Sequence, residues 1–190
     1  MTLNIYIDSD VMVAAEIKEE TNHAESKKFM EYVLKSKGTE TQFFTSLYTF
    51  VELASAMIRR TKDPDRAYSL LYRVRNSWKQ FINPLPPMKR TSFSKLVDNL
   101  IETSIKFKTP AADTIHAHTV AEYAMDYLIT WNIKHFAGMK KKIKGIKVLT
   151  PTDVLKEFEK IKEKKKNKSQ DEIFRELFEE LIAKNKIKSN

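Results

Sequence analysis

The sequence contains no cysteine and only three glycines. Without cysteine, disulfide frameworks, thiolate nucleophiles and cysteine-based zinc sites are excluded together. Glycine is so scarce that the phosphate-binding loops G-x-x-x-x-G-K-S/T and G-x-G-x-x-G are absent. Nucleotide-binding folds that depend on these loops are therefore not indicated.

Long apolar runs are also missing. None approaches the roughly 20 residues that a membrane-spanning helix needs, so no membrane partner is expected. The N-terminal residues 1–5 show neither a basic region before an apolar one nor a small-residue cleavage site, and we expect no signal peptide. With the lack of cysteine, this favours a cytoplasmic protein. A hydrophobic fraction of 42% and a charged fraction of 31% are typical of a globular chain.

Basic residues exceed acidic ones, with 34 Lys and Arg against 25 Asp and Glu and a net charge of +9. Of this surplus, +7 belongs to residues 1–150 and +2 to the rest. A positive surplus in the main body favours a polyanionic partner, most often nucleic acid. A lysine-rich overall composition is the alternative explanation.

Short strands alternate with helices, which predicts an α/β domain with a mostly parallel central sheet flanked by helices. The predicted domain covers residues 1–155, and residues 156–190 form a helical extension. Strands are predicted at 3–7, 42–45, 126–130 and 147–149, and segment 82–87 is either a strand or irregular. Helices are predicted at 11–18, 23–35, 47–60, 64–80, 92–107, 110–123 and 152–162.

The extension contains a charged hinge at 164–168 and a capping box at Ser169–Glu172 that begins a last helix. That helix carries an apolar stripe of Ile173, Phe174, Leu177, Phe178, Leu181 and Ile182. Three arrangements remain open for this stripe: folding back on the domain, pairing with a second protomer, or occupying a groove.

Polar side chains are predicted to converge at one edge of the sheet, because ligands bind beyond the carboxyl ends of parallel strands. Asp8 follows the first strand, and Thr130 and Asn132 follow the strand at 126–130. Asp113 lies in the first turn of a helix, and Glu52 reaches the same edge if its helix packs over it. Taken one at a time, each acid also has a structural explanation. It can be a turn residue, a charge that complements a helix dipole, or a solvent-facing side chain.

Clustered carboxylates repel one another, so a hard cation is their natural partner. No Lys or Arg is expected among these acids. A ligand set of oxygens alone favours Mg²⁺, with Mn²⁺ as the alternative, over zinc. Such an ion serves phosphodiester chemistry by stabilising charge on the phosphate and activating a water.

Four segments resemble the PIN-domain family, and are most similar to VapC-like toxins. They are residues 6–14 (YIDSDVMVA), 45–53 (TSLYTFVEL), 112–121 (ADTIHAHTVA) and 126–136 (DYLITWNIKHF). The resemblance covers about residues 3–155. It implies a PIN-like three-layer fold, a Mg²⁺-dependent endoribonuclease that cleaves RNA, a small antitoxin as inhibitor, and a homodimer.

The resemblance assigns roles to the acids. Asp8, Glu52 and Asp113 are expected to ligate the metal directly or through water. Asn132 stands where many PIN domains have Asp, and it is expected to position the nucleophilic water or a weak second ion. Ser9 and Thr130 are expected to orient carboxylates or contact phosphate. Asp10 either joins them or faces away and caps the next helix.

Other residues have two interpretations each. His116 and His118 point to different helix faces, so a shared metal is not expected, and His116 is predicted to support Asp113 or to pack. Basic residues beside Tyr72 and Trp78 suit either RNA contact or a dimer or core contact. The candidate RNA-contacting residues are Arg73, Arg75, Lys79, Lys140 and Lys141.

Two alternative functions stay open beside a ribonuclease of a toxin–antitoxin pair or of RNA processing. One is a PIN-fold RNA-binding protein of weak or no catalytic activity, which Asn132 keeps in play. The other is a protein-interaction module in which the last helix does the binding.

Overall fold

The computed structural model describes residues 2–36, 40–86, 92–139 and 143–167. Within these ranges, no helix has both the length and the apolar character to cross a membrane. One compact unit comprises Met1–Val154, and a second begins at Leu155. The last predicted helix lies outside the described residues, so the division into a nuclease domain and a helical extension stays a prediction.

A single sheet runs through the first unit, and all of its pairings are parallel. Its strand order is β3-β2-β1-β4-β5. The strands are β1 (Leu3–Ile7), β2 (Thr41–Ser46), β3 (Ile82–Leu85), β4 (Tyr127–Ile129) and β5 (Lys147–Leu149). The chain extends the sheet to one side of β1 through β2 and β3, then to the other side through β4 and β5. The carboxyl end of β1 is therefore a topological switch point, where open α/β sheets bind ligands.

Eight helices lie in the described part of the chain. They are α1 (Ser9–Glu16), α2 (His23–Lys35), α3 (Leu47–Thr61), α4 (Pro64–Trp78), α5 (Phe93–Phe107), α6 (Ala111–Glu122), α7 (Ile133–Ala137) and α8 (Pro151–Asn167). The central strand is wholly buried at Ile5, Tyr6 and Ile7. Tyr6 belongs to a core cluster with Ala117 of α6 and Leu128 of β4. This packing holds the carboxyl end of β1 beside α6.

The predicted fold class is confirmed, with a sheet that is entirely rather than mostly parallel. Segment 82–87, which was predicted to be either a strand or irregular, contains the strand β3. The hinge predicted at 164–168 is wrong over 164–167, where α8 continues; lysine favours helix, and a charged run alone does not end one. Helix α7 was missed because five residues are too few to show a helical period.

Candidate metal centre

A polar cavity of about 420 Å³ lies at the carboxyl ends of β1 and β4. Its lining includes the four residues predicted to be catalytic, Asp8, Glu52, Asp113 and Asn132, together with Ser9 and Asp10. Four segments of the chain, distant in sequence, supply them: the end of β1, the middle of α3, the first turn of α6 and the turn after β4. We call this cavity the acidic pocket.

Asp8 is fixed from several directions. Its backbone N–H donates to Ile129 of β4 at 2.9 Å, and its side chain caps α1. Oδ1 accepts from the Ser9 N–H at 2.6 Å and from the Ser9 hydroxyl at 3.3 Å. Asp8 is 1% exposed, and its Oδ2 atom is buried without a hydrogen-bond partner in the part of the chain that the structure describes. One oxygen of the carboxylate is thus satisfied by the protein and the other is not.

Asp10 shows the same division between its oxygens. Oδ2 accepts from the Thr130 hydroxyl at 3.0 Å and from the backbone N–H groups of Trp131 and Asn132 at 2.9 and 3.1 Å. Oδ1 is buried, with no hydrogen-bond partner among the described residues. Asp10 therefore faces the acidic pocket, and α1 is capped by Asp8 instead. This is one of the two alternatives that the sequence left open for Asp10.

The energetic cost of the two unpartnered oxygens indicates whether a cation suits the pocket. A buried acceptor without a donor costs about 1–3 kcal/mol, and two carboxylates close together add repulsion. Burial, and then the charge of Asp8, raise the pKa of Asp10 well above its usual range. Burial and Asp8 also raise the pKa of Asp113, against an opposing effect of His135. Oxygen ligands of this kind suit a hard divalent cation.

His116 bridges two of the carboxylates. Its Nε2 atom lies 2.7 Å from Glu52 Oε2 and 3.2 Å from Asp8 Oδ1, and its Nδ1 atom lies 2.7 Å from the Tyr6 hydroxyl. Burial lowers the pKa of His116, but Asp8, Glu52 and Asp113 outweigh it and raise the pKa to about 9. His116 was predicted to support Asp113 or to pack. It is buried, and its hydrogen bonds are to Glu52 and Tyr6 instead of Asp113.

A second histidine, which the sequence analysis did not single out, holds Asp113. His135 Nδ1 lies 2.7 Å from Asp113 Oδ2, with the His135 side chain 45% exposed. Among the described residues, no three histidine or carboxylate side chains are arranged to hold an ion as they stand. Among these described residues, histidines contact Glu52 and Asp113, while Asp8 and Asp10 each have one buried carboxylate oxygen without a hydrogen-bond partner.

Comparison with known proteins gives matches at the level of structure only. No family model matches the sequence, and no curated protein matches it significantly. Two similar structures are VapBC2 from Rickettsia felis bound to a DNA fragment from their promoter (TM-score 0.52, 14% identity) and VapBC-1 from nontypeable Haemophilus influenzae (TM-score 0.53, 12% identity). FitAcB from Neisseria gonorrhoeae is similar at TM-score 0.53 and 15% identity. The chain has a VapC-like PIN-domain fold.

The three matches cover 77–79% of this chain and 97–99% of the matched chains. The VapC-like fold thus accounts for nearly the full length of each matched chain, which confirms the predicted resemblance at the level of fold. At 12–15% identity, the likeness shows the fold alone.

The acidic pocket of this VapC-like domain also contains basic residues, and the expectation that none lies among the acids was wrong. Arg59 and Arg60 line it from α3, on the face that presents Glu52 and Ala56. Helical spacing explains this, because positions seven and eight residues after Glu52 return to its face. Arg60 Nε donates to Glu20 Oε1 at 3.0 Å, and Glu20 also lines the pocket.

The predicted RNA-contacting residues lie elsewhere on the VapC-like domain where they are described. Arg75 and Lys79 line a separate, mainly apolar cavity, and Arg73 is exposed on α4 without lining the acidic pocket. Trp78 is 5% exposed and belongs to the core, so it offers no stacking surface. Lys140 and Lys141 lie outside the described residues.

Proposed function

We propose that the protein is a metal-dependent endoribonuclease that hydrolyses RNA phosphodiester bonds, as the toxin of a toxin–antitoxin pair or in RNA processing. The observation that carries this proposal is the pair of buried, unpartnered oxygens, Asp8 Oδ2 and Asp10 Oδ1, in one pocket. Two buried carboxylate oxygens without donors among the described residues, on side chains that line one cavity, call for a positive ligand.

Mg²⁺ is the proposed ion, with Mn²⁺ as the alternative, because the donor set consists of oxygens. Asp8 and Asp10 would hold it, with Glu52 and Asp113 as further ligands, directly or through water. A bound ion of this kind stabilises the charge that develops on the phosphate and lowers the pKa of a bound water. Ser9 and Thr130 orient the Asp8 and Asp10 carboxylates through the hydroxyl bonds described above.

The reaction we propose is attack of a water on the phosphorus, with cleavage of one phosphorus–oxygen ester bond and transfer of a proton to the leaving oxygen. Asn132 lies in the lining of the pocket and offers an amide oxygen and an amide N–H₂ for the attacking water. It brings no negative charge. A second ion is therefore less well supported than the first.

RNA as the substrate is supported by the charge surplus of the main body and by the likeness to toxin structures. The two alternative functions predict different results in the same experiments. A protein that only binds RNA should bind it equally well in EDTA and should not cleave it. A protein-interaction module that acts through its C-terminal segment should not bind RNA at all.

The decisive experiment combines metal binding with cleavage. Melting of the full chain is recorded in EDTA and in Mg²⁺ or Mn²⁺, and a single-stranded RNA is incubated under the same conditions. We expect the ion to raise the melting temperature, since a ligand at about a hundredfold its Kd adds about 2.7 kcal/mol. Cleavage is expected only with the ion. Cleavage that continues in EDTA would contradict the proposal.

A small antitoxin protein is proposed as the partner, supported by the VapBC and FitAcB complexes named above. The protein's location in the cytoplasm, predicted from the sequence, belongs to the same proposal. A short reading frame beside this gene, encoding a DNA-binding pattern, is the expected source of the antitoxin. Its purified product should suppress cleavage at a stoichiometric ratio, and lack of inhibition would remove the toxin assignment.

Homodimerisation is supported by an apolar stripe along α5. Phe93, Val97, Ile101 and Ile105 follow one another at intervals of four residues and are 70%, 36%, 54% and 74% exposed. Exposed apolar patches of this kind mark interaction sites. An isologous contact brings the same surface of two copies together. This evenly spaced stripe therefore suits packing against α5 of a second copy about a two-fold axis.

Ile101→Glu is expected to weaken self-association at least about tenfold, because it places a charge at the centre of the apolar contact. Sedimentation equilibrium measures the effect. Val51→Glu, at a residue of α3 that is 57% exposed, is the matched control and should leave self-association unchanged. A wild-type protein that is monomeric at every concentration tested would refute the dimer.

A further inference from the structure

The acidic pocket is lined by charges of both signs, and its basic residues have no assigned role. The guanidinium groups of Arg59 and Arg60 share the lining with the carboxylates of Asp8, Asp10, Glu20, Glu52 and Asp113. A pocket made only to hold a cation gains nothing from guanidinium groups, since they repel the ion. Their presence in the same cavity points to a ligand that carries negative charge into it.

The two arginines are not equivalent. Arg60 is held by Glu20, which accepts from both its Nε and its terminal nitrogen. Arg59 is exposed and has no ion pair or hydrogen bond through its side chain among the described residues. Its guanidinium therefore retains all five N–H donors for a ligand. Arg60, by contrast, is neutralised in place.

A phosphodiester group is the anion that suits this position. A guanidinium binds phosphate oxygens through two parallel N–H donors, which fixes orientation as well as charge. Single-stranded RNA presents such a group at every nucleotide, so a strand that delivers one phosphate to the carboxylates carries a second phosphate one nucleotide away. Residue 59 follows Glu52 by seven positions on one helix face, which spaces the two by about two helical turns.

We propose that Arg59 binds a phosphate of the RNA strand next to the one that is cleaved, and so positions the strand. This inference rests on the proposed ribonuclease function and adds a binding subsite to it. Arg59 acts on the strand without contacting the reacting atoms. The ion pair of Glu20 with Arg60 keeps the second guanidinium from competing for the same phosphate.

The test measures RNA affinity apart from cleavage. The full chain with Asp8→Asn, which is expected not to cleave, is titrated into a fluorescein-labelled oligouridylate of about 12 nucleotides, within the length a single-stranded site covers. Fluorescence anisotropy is read at several salt concentrations. Arg59→Ala is expected to weaken binding about fivefold to tenfold and to reduce the salt slope by about 0.7, the loss of one phosphate contact.

Arg66→Ala supplies the matched control. Arg66 is exposed on α4 and does not line the acidic pocket, so its removal changes net charge equally without touching the subsite. Arg59→Lys should recover the salt slope but only part of the affinity, because lysine lacks the two-pronged geometry. Equal losses in Arg59→Ala and Arg66→Ala would overturn the inference.

Measuring stabilisation by the metal distinguishes a failure of the Arg59 subsite from a failure of the proposed ribonuclease function. In the otherwise wild-type chain, Arg59→Ala should keep the rise in melting temperature with Mn²⁺. Loss of that rise would mean that Arg59 serves the carboxylates instead of RNA, which also overturns the subsite. If the parent protein shows metal-induced stabilisation but neither binds nor cleaves RNA, the proposed ribonuclease function fails, and the subsite with it.

Discussion

Replacing Asp8 with Asn is expected to reduce RNA cleavage about 10²–10³-fold or more, the scale of losing one charge-stabilising group in an active site. The substitution removes the negative charge behind Oδ2, the buried oxygen that we assign to the ion. The fold should survive, because Asn caps a helix as well as Asp does. Cleavage of single-stranded RNA under single-turnover conditions gives the rate, and circular dichroism confirms the fold.

Asp63→Asn is the matched control for this prediction. Asp63 caps α4 as Asp8 caps α1, and its Oδ1 atom accepts from the Asp65 and Arg66 N–H groups at 3.0 and 3.1 Å. It is exposed and does not line the acidic pocket. The same chemical change there should leave cleavage unaltered. Wild-type activity in Asp8→Asn would refute the assignment of Asp8.

Asp10→Asn is expected to have two opposite effects on stability. In EDTA it should raise the melting temperature by several degrees, because it removes a buried charge whose Oδ1 atom lacks a donor, at a cost of about 1–3 kcal/mol. With Mn²⁺ it should lose most of the stabilisation that the wild type gains. The amide oxygen still accepts from Thr130, so the turn after β4 stays in place.

The pH dependence of the same variant follows from the raised pKa of Asp10. A carboxyl whose pKa is higher in the folded state stabilises the fold fully below its unfolded pKa of about 3.9, and this contribution is lost as pH rises through the folded pKa. In EDTA the wild type should therefore lose stability over that rise, and Asp10→Asn should lose less. Asp113, whose pKa is also raised, contributes to both proteins alike.

Asp153→Asn serves as the control for charge. Asp153 accepts from the Thr150 hydroxyl at 2.7 Å, as Asp10 does from Thr130, but it is exposed and does not line the acidic pocket. It should change neither the melting temperature in EDTA nor the response to Mn²⁺ appreciably. If Asp10→Asn retains the full response to the ion, Asp10 is not a ligand.

The sequence was sufficient to predict the elements that carry the acids. Helix α3 shows its period over 15 residues, and the polar residue Asp8 directly follows β1. The rule that ligands bind at the carboxyl edge of a parallel sheet then brought Asp8, Glu52, Asp113 and Asn132 to one place. The helical period and the alternation of strands and helices can both be seen in a single sequence.

What the sequence did not predict depends on tertiary contacts between distant positions. His116 reaches Glu52 and Asp8 instead of Asp113, and His135 reaches Asp113, because of how α6 packs beside β1 and the turn after β4. Trp78 is buried although its neighbours in sequence are charged. Arg59 could have been found, since helical spacing from Glu52 already places it on the same face.

The two histidines that hold Glu52 and Asp113 bear on the order of folding and metal binding. His116 lies 2.7 Å from Glu52, and His135 lies 2.7 Å from Asp113. Contacts within the protein therefore position these two acids without an ion. Under the proposed function, an ion would bind where Glu52 and Asp113 are already in place. Its stabilising effect would then come chiefly from Asp8 and Asp10, whose buried oxygens have no partner among the described residues.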